Sequence, residues 1–261
     1  MKITVLCGGD SSERTVSLVS GERVYAALFS RGHEVSLVDW RGELPPPCLS
    51  QLQKSDAVFL ALHGGKGEGG ALQATLEENG IFHYTGTRAA AAALAMHKEK
   101  AKETVASVGV PIAKGALWLP GEACPPLDVP FVVKALSGGS SEGLLLLQAS
   151  EEVDRFVPTV PMLAEAYLSG REYTVGVLGN EVLPVVEIAV ADGLYDYQHK
   201  YRVGAASELC PAPISAKKTA RLQKLAQRAF EALGLRDVAR IDLKKMRRER
   251  CIFLKQIHCQ A

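Results

Sequence analysis

Val132-Val133-Lys134-Ala135-Leu136-Ser137-Gly138-Gly139-Ser140-Ser141-Glu142-Gly143 is the stretch on which the rest of the chain converges. Phe131, Val132 and Val133 are aromatic or β-branched, which predicts a short buried strand with the charge of Lys134 at its end. The Gly/Ser segment then gives way to the apolar Leu144 to Leu147, so it joins two strands. Glycine tolerates positive φ and lets a ligand approach the main chain, so the N–H groups of such a loop can converge on one anion, with phosphate the natural guest. The same residues also make an ordinary solvated turn. Lys134 and the remaining motifs decide between the two.

Upstream, Ile3 to Cys7 predict a buried strand that runs into Gly8-Gly9-Asp10-Ser11-Ser12-Glu13. Val16, Val19, Val24, Ala27 and Leu28 then recur at helical spacing. Ser11 or Ser12 is a candidate cap for that helix, and Glu13 in its first turn suits the helix dipole. Val35 to Val38 complete a β-α-β unit, and a strand over 57–62 delivers His63-Gly64-Gly65-Lys66-Gly67-Glu68-Gly69-Gly70 to its carboxyl end. Open parallel sheets bind ligands at that end of their strands, and both Gly-rich turns fall there. His63 is either a loop imidazole in solvent or part of such a site.

Residues 89–109 are Ala-rich and predict one helix carrying Lys98, Lys100 and Lys102, a solvated face of which one lysine needs a ligand. A β-rich segment begins at Pro111. Glu165 and Glu172 flank a turn and either face one polar ligand edge or pair with nearby lysines. The stretch from Asp192 to Tyr201, with Tyr195-Asp196-Tyr197 and Lys200-Tyr201, has the length and lack of periodicity of a binding loop. Ser215 caps a helix that stops at Gly234, and Val238 to Asp242 predict a strand with alternating polar residues.

The 261 residues are 47% hydrophobic and 23% charged, ample for a packed core, and the net charge of +1 gives no basic field for nucleic acid or an anionic membrane. Six scattered cysteines without a C-x-x-C pair speak against a zinc site and a disulfide framework and suit a reducing cytoplasm. The start of the chain has no signal-peptide core and no run is long enough to cross a bilayer, so a soluble, non-exported protein is expected.

Six separated motifs, in this order, resemble the D-alanine:D-alanine ligases of the ATP-grasp superfamily from Met1 to about Asp242. They are Gly8-Gly9 with Ser12-Glu13 and Val16-Ser17-Leu18, His63-Gly64 with Gly67-Glu68, Tyr84-Thr85-Gly86 with Ala95-Met96 and Lys98, Lys134 with Gly139-Ser140-Ser141 and Gly143, Gly170 with Glu172, and Tyr195-Asp196-Tyr197 with Lys200-Tyr201. The resemblance implies an α/β, three-domain ATP-grasp fold with a Rossmann-like N-terminal domain over 1–87, a central subdomain over 88–169 and a C-terminal one over 170–261, with ATP between the last two. It implies ligation of two D-alanines for peptidoglycan synthesis: ATP phosphorylates the first carboxylate and the amine of the second D-alanine attacks the acyl phosphate. Such phosphoryl transfer needs positioning and charge neutralisation. By the same resemblance Lys98 and Lys134 hold the phosphates with Ser140 and Ser141 closing over them, Lys200 lies near them, and Glu165 and Glu172 take the adenine and ribose side. Glu13 holds the ammonium of the first D-alanine and is linked to Ser140 and Tyr201. His63 lines the amino-acid site, Arg240 stabilises the tetrahedral oxyanion, and Asp242 is a ligand of Mg²⁺ or Mn²⁺. A cytoplasmic homodimer is the family expectation.

Three departures lie within the matched region: Gly69 and His97 stand where the family usually has Asp, and Ala135 where it commonly has Pro. The end differs more. The family's Glu-x-Asn metal motif falls on Lys255-Gln256-Ile257, and an ammonium about 4 Å from a divalent ion is repelled by roughly 8 kcal/mol at an effective dielectric near 20. A broken metal site and little turnover follow as expectations, and a truncated, non-catalytic nucleotide-binding homologue is the alternative. Codons for Leu254 to Ala261 followed by a TGA stop, read from the third base, can spell Glu-Ala-Asn-Thr-Leu-Pro-Gly-Met, so a frame lost near Lys244 is a further expectation. A ligase for D-alanine with D-lactate or D-serine is the other alternative, with Tyr201 favouring the dipeptide product.

Overall fold

The computed structural model describes residues 1–137, 143–190, 206–245 and 251–257. The chain forms two compact units, one of Met1–Met96 with Gly234–Ala239, the other of His97–Leu233 with Arg240–Ile257.

The first unit is built on a parallel sheet of order β2-β1-β3, with β1 at Lys2–Gly8, β2 at Glu34–Trp40 and β3 at Ala57–Leu60. A central parallel strand is covered on both faces, and β1 is accordingly buried from Ile3 to Gly8, with Thr4 its one buried polar side chain. Leu6 packs with Trp40, Leu52, Leu60 and Leu76 on one face, whereas Val5 and Cys7 meet Val24 and Leu28 of α1 (Arg14–Ser30) on the other. Helices α2 (Pro46–Gln53), α3 (Gly65–Glu68), α4 (Ala71–Glu78) and α5 (Ala89–Met96) complete the unit, and Tyr84 adds a parallel bridge to Val58.

The contact face of α1 departs from the apolar periodicity. Val16 and Val19 are 40% and 44% exposed, and the buried residues are Ser17 and Gly21. Ser17 Oγ accepts from Gly8 N at 2.8 Å and donates to Ala61 O, tying β1 to the end of β3. A Cβ on Gly21 would lie 2.4 Å from Cys7 Cβ. The helix therefore docks through small residues, because larger ones would lift it off the sheet. It also begins one residue later than Glu13, which is its N-cap residue and makes no side-chain capping bond.

Residues 89–109, expected as one helix, form α5 and α6 (Lys98–Ser107), separated at His97. His97 is extended at φ −85°, ψ 101°, and its Nδ1 accepts from Lys100 N as the cap of α6. Lys98 N leaves the helical ladder and donates to Leu136 O at 2.9 Å.

In the second unit, β4 (Gly115–Trp118), β5 (Phe131–Ala135), β6 (Leu145–Leu147) and β7 (Met162–Ala166) form an antiparallel sheet of order β4-β7-β5-β6. Its core contains Trp118, Phe131, Val133, Leu147 and Met162, with α7 (Ser150–Arg155) at its side. The other sheet has the order β10-β9-β8-β11-β12, from β8 (Glu172–Leu178), β9 (Glu181–Val190), β10 (Ala206–Leu209), β11 (Val238–Lys245) and β12 (Cys251–Ile257). Helix α8 (Ala216–Ala232) starts at Ser215, whose Oγ accepts from Lys218 N, and its buried Leu222, Leu225, Ala226, Ala229 and Phe230 face β8 and β9.

Gly21→Ala is expected to destabilise the protein by about 1–3 kcal/mol through overpacking. Cys7→Ala in the same chain removes only the Sγ, 2.8 Å from the new methyl, and keeps the Cβ at 2.4 Å, so most of that loss should persist. Denaturant midpoints of the two variants and the parent check both expectations.

Candidate active site

In the first unit the carboxyl ends of β1 and β3 bring together Glu13, Ser11 and His63. Ser11 Oγ donates to His63 O at 2.5 Å and accepts from Glu13 N at 3.2 Å, so one hydroxyl joins the two turns. Gly64 N donates to Glu68 Oε2 at 2.9 Å. Gly64 has φ +65°, and a Cβ there would stand 2.8 Å from Glu13 Oε2, so the bare glycine is what lets the Glu13 carboxylate lie against the loop. His63 is half-buried, with Nε2 3.1 Å from Ser20 Oγ. Burial lowers the pKa of its imidazole, against a smaller upward pull from Glu13. Ser20 received no sequence-based role; its spacing of three from Ser17 places it near the same face of α1.

In the second unit the lysines and carboxylates sort into three groups. Glu165 is buried on β7, with one oxygen, Oε1, on Lys102 Nζ and the other, Oε2, on Lys134 Nζ. The strand register explains the second contact: Val132 is opposite Glu165, so Lys134, two residues along β5, is its diagonal neighbour on the same face. Gly115 on β4 lies opposite Glu165 on the other side, and a Cβ there would come within 2.7 Å of Glu165 Cγ. Burial pulls the Glu165 carboxyl upward, but Lys134 and Lys102 outweigh it and leave it below the ordinary value. Burial and the charge of Lys134 push Lys102 down to about 8, against the upward pull of Glu165.

Of the three lysines on α6, Lys98 is half-buried, Lys100 exposed and Lys102 buried, so the expected solvated face holds only in part. Lys102 was missed as a candidate, although its spacing of four from Lys98 puts the two on one helix face.

Glu172 at the start of β8 lies 3.6 Å from Lys244 Nζ, which also stands 5.9 Å from the centre of the Tyr167 ring. Of the two readings left open for the glutamates, both take part in lysine pairs in this structure. Along β11, Arg240, Asp242 and Lys244 occupy one face while Ala239, Ile241 and Leu243 are fully buried on the other, the alternation the sequence predicts. Asp242 is 1% exposed and its Oδ1 takes Arg240 Nε at 3.2 Å. Its neighbour across the ladder is Lys255. Among the described residues no group of three or more His, Cys, Asp and Glu could hold a metal ion by itself. Ser140, Ser141, Lys200 and Tyr201 lie outside the described residues.

A family model, "D-ala D-ala ligase C-terminus", matches residues 119–259. A D-alanine–D-alanine ligase of Cereibacter sphaeroides (strain ATCC 17025) is 43% identical over 248 residues, covering 93% of this chain and 80% of that protein. Among solved structures, the VanG D-Ala:D-Ser ligase of Enterococcus faecalis aligns with a TM-score of 0.82 and 25% identity over 98% of this chain and 89% of its own. D-alanine–D-alanine ligase of Bacillus anthracis aligns with a TM-score of 0.82 and 26% identity over 98% and 86%. The three described sheets and their helices are thus the α/β ATP-grasp fold with its Rossmann-like N-terminal sheet. With more than half of its residues matched by the family model and such identity along nearly its whole length, the chain belongs to the D-alanine–D-alanine ligase family of ATP-dependent ligases.

Proposed function

We propose that this chain binds ATP and a first D-alanine in the manner of a ligase that joins two D-alanines for peptidoglycan synthesis, and that its turnover is low. The observation that carries the binding half is the pair of ammonium groups, Lys102 and Lys134, brought together on the buried Glu165 carboxylate. Lys134 and Lys98 are the residues for the phosphates, joined by Ser140, Ser141 and Lys200. Glu165 and Glu172 are the residues for the adenine and ribose side, the nucleotide lying between segments 88–169 and 170–261. Phosphate oxygens arriving there meet fixed ammonium groups, so charge is neutralised with little reorganisation.

Glu13 takes the ammonium of D-alanine, and its carboxylate is already held against Gly64. His63 lines that site. Its lowered pKa keeps the imidazole neutral at physiological pH, able to make a hydrogen bond without adding a second cation beside the substrate ammonium. Arg240 is the candidate for the developing oxyanion.

Low turnover is inferred from the metal donors. Magnesium or manganese would accompany the nucleotide, and Asp242 is the residue to hold it. That carboxylate is engaged by Arg240, and the described residues bring no further cluster of donors. Retention of nucleotide without catalysis is the second reading, favoured by this same pair. The substrate, compartment and homodimeric state follow the family in this proposal; among the described residues no helix is long and apolar enough to cross a membrane.

Calorimetry with ATP and a phosphate-release assay with D-alanine test the two halves separately. ATP should bind, and D-alanine-dependent phosphate release should fall at least 100-fold below the median enzyme turnover of about 10 per second. Absence of ATP binding would remove the nucleotide reading, and ordinary turnover would remove the low-activity reading.

His63 also predicts an acid-side effect on stability. The folded state holds its imidazole proton less tightly than the unfolded chain, whose value is near 6.5. Unfolded protein therefore binds more protons in that window, and stability falls as pH drops through 6.5 toward the lowered folded value, then levels off. His63→Gln should remove this segment of the pH–stability curve, as measured by urea unfolding at pH steps between 7.5 and 4.5.

A further inference from the structure

Three observations about Glu165 go beyond a simple lysine–glutamate pair. Its two oxygens are divided between two ammonium groups, one from α6 and one from β5. Lys102 is sealed in, with 5% of its side chain exposed, whereas Lys134 keeps 13% exposed. Gly115 leaves space for the Glu165 side chain where any Cβ would collide with it. The cluster carries two cations against one carboxylate. A buried carboxylate facing a single lysine would cancel that lysine's charge and hold its ammonium in place.

We infer that Lys102 is a positioning residue for nucleotide binding: by occupying one oxygen of Glu165 it leaves a net positive charge on the cluster and allows Lys134 to turn its ammonium toward the triphosphate. This inference rests on the nucleotide reading proposed above. Lys102 does not itself meet the ligand, because its ammonium is directed at Glu165 inside the packed face of α6. Its effect reaches the phosphates through Lys134, so it acts mainly at the phosphate end, with a smaller change at the nucleoside side that Glu165 serves.

The test compares ATP and adenosine affinity, by calorimetry and by competition, for the full chain, Lys102→Met, Lys102→Arg, Glu165→Gln and the double variant Lys102→Met/Glu165→Gln. Lys102→Met should weaken ATP at least tenfold while changing adenosine less than threefold, and Lys102→Arg should restore most of the ATP affinity. In the Glu165→Gln background, Lys102→Met should cost less than twofold, because the charge it offsets is gone. The double variant replaces a buried ion pair by neutral side chains of similar size, a change often tolerated, so the comparison with Glu165→Gln decides the matter even where Lys102→Met alone fails to fold. A tenfold ATP loss in the double variant relative to Glu165→Gln overturns the inference, as does equal loss of ATP and adenosine in Lys102→Met, or ATP affinity unchanged in Lys102→Met. A parent chain that binds neither ligand overturns the nucleotide reading and this inference with it, whereas a parent that binds ATP beside an indifferent Lys102→Met overturns the inference alone.

Discussion

A carboxylate sealed inside a β-sheet requires countercharge, and Glu165 is the place where this chain meets that requirement. Desolvating an ion costs several kcal/mol, which only close and well-directed partners offset. The partners come from different elements, Lys102 from α6 and Lys134 from β5, so the condition that keeps Glu165 ionised also fixes the helix against the sheet. The break at His97 belongs to the same arrangement. Ending α5 there and starting a new helix lets Lys98 N bond Leu136 O beyond the end of β5, and sets the register in which Lys102 turns inward.

The first unit orders its site by a different device, backbone conformation. Gly8 and Gly9 both have φ +91°, and Gly64 has φ +65°, values that L side chains rarely adopt. These turns carry Ser11, Glu13 and His63 to the ends of their strands. Arg14 secures the first turn by donating to Gly9 O and Trp40 O while pairing with Asp39 at 2.7 Å. The hydrogen bond from Arg14 holds the Asp39 carboxyl below its ordinary range, against the upward effect of desolvation. Both groups are partly exposed, so the pair matters more for geometry than for stability.

How much was legible follows from the kind of signal each element carries. The strands around Val5 and Val133 were readable because a buried strand shows itself in a largely apolar run, and β11 because its polar face alternates with Ala239, Ile241 and Leu243. The α1 docking face was misread because close packing selected Ser17 and Gly21, residues that a hydrophobic pattern counts as solvent-facing. The break at His97 escaped because alanines on one side and lysines on the other all favour helix; a long-range bond to Leu136 overrides that preference. Lys102 escaped for a related reason. A lysine in a charged helix signals solvent unless its buried carboxylate is known, and Glu165 lies 63 positions away.

The charge pattern around β11 separates holding a nucleotide from using it. In the Glu165, Glu172 and Asp242 clusters of the second unit, the cations of Lys102, Lys134, Lys244 and Arg240 outnumber the three carboxylates. On the proposed reading, this excess favours a polyanion such as a triphosphate. Phosphoryl transfer is more demanding, since charge that develops on the moving group must be met by hard oxygen-bound cations in fixed positions. Asp242, drawn to Arg240, offers one such oxygen ligand set where several are needed. The two requirements therefore fall on different residues, and a chain can lose the second while its fold and its cationic face keep the first.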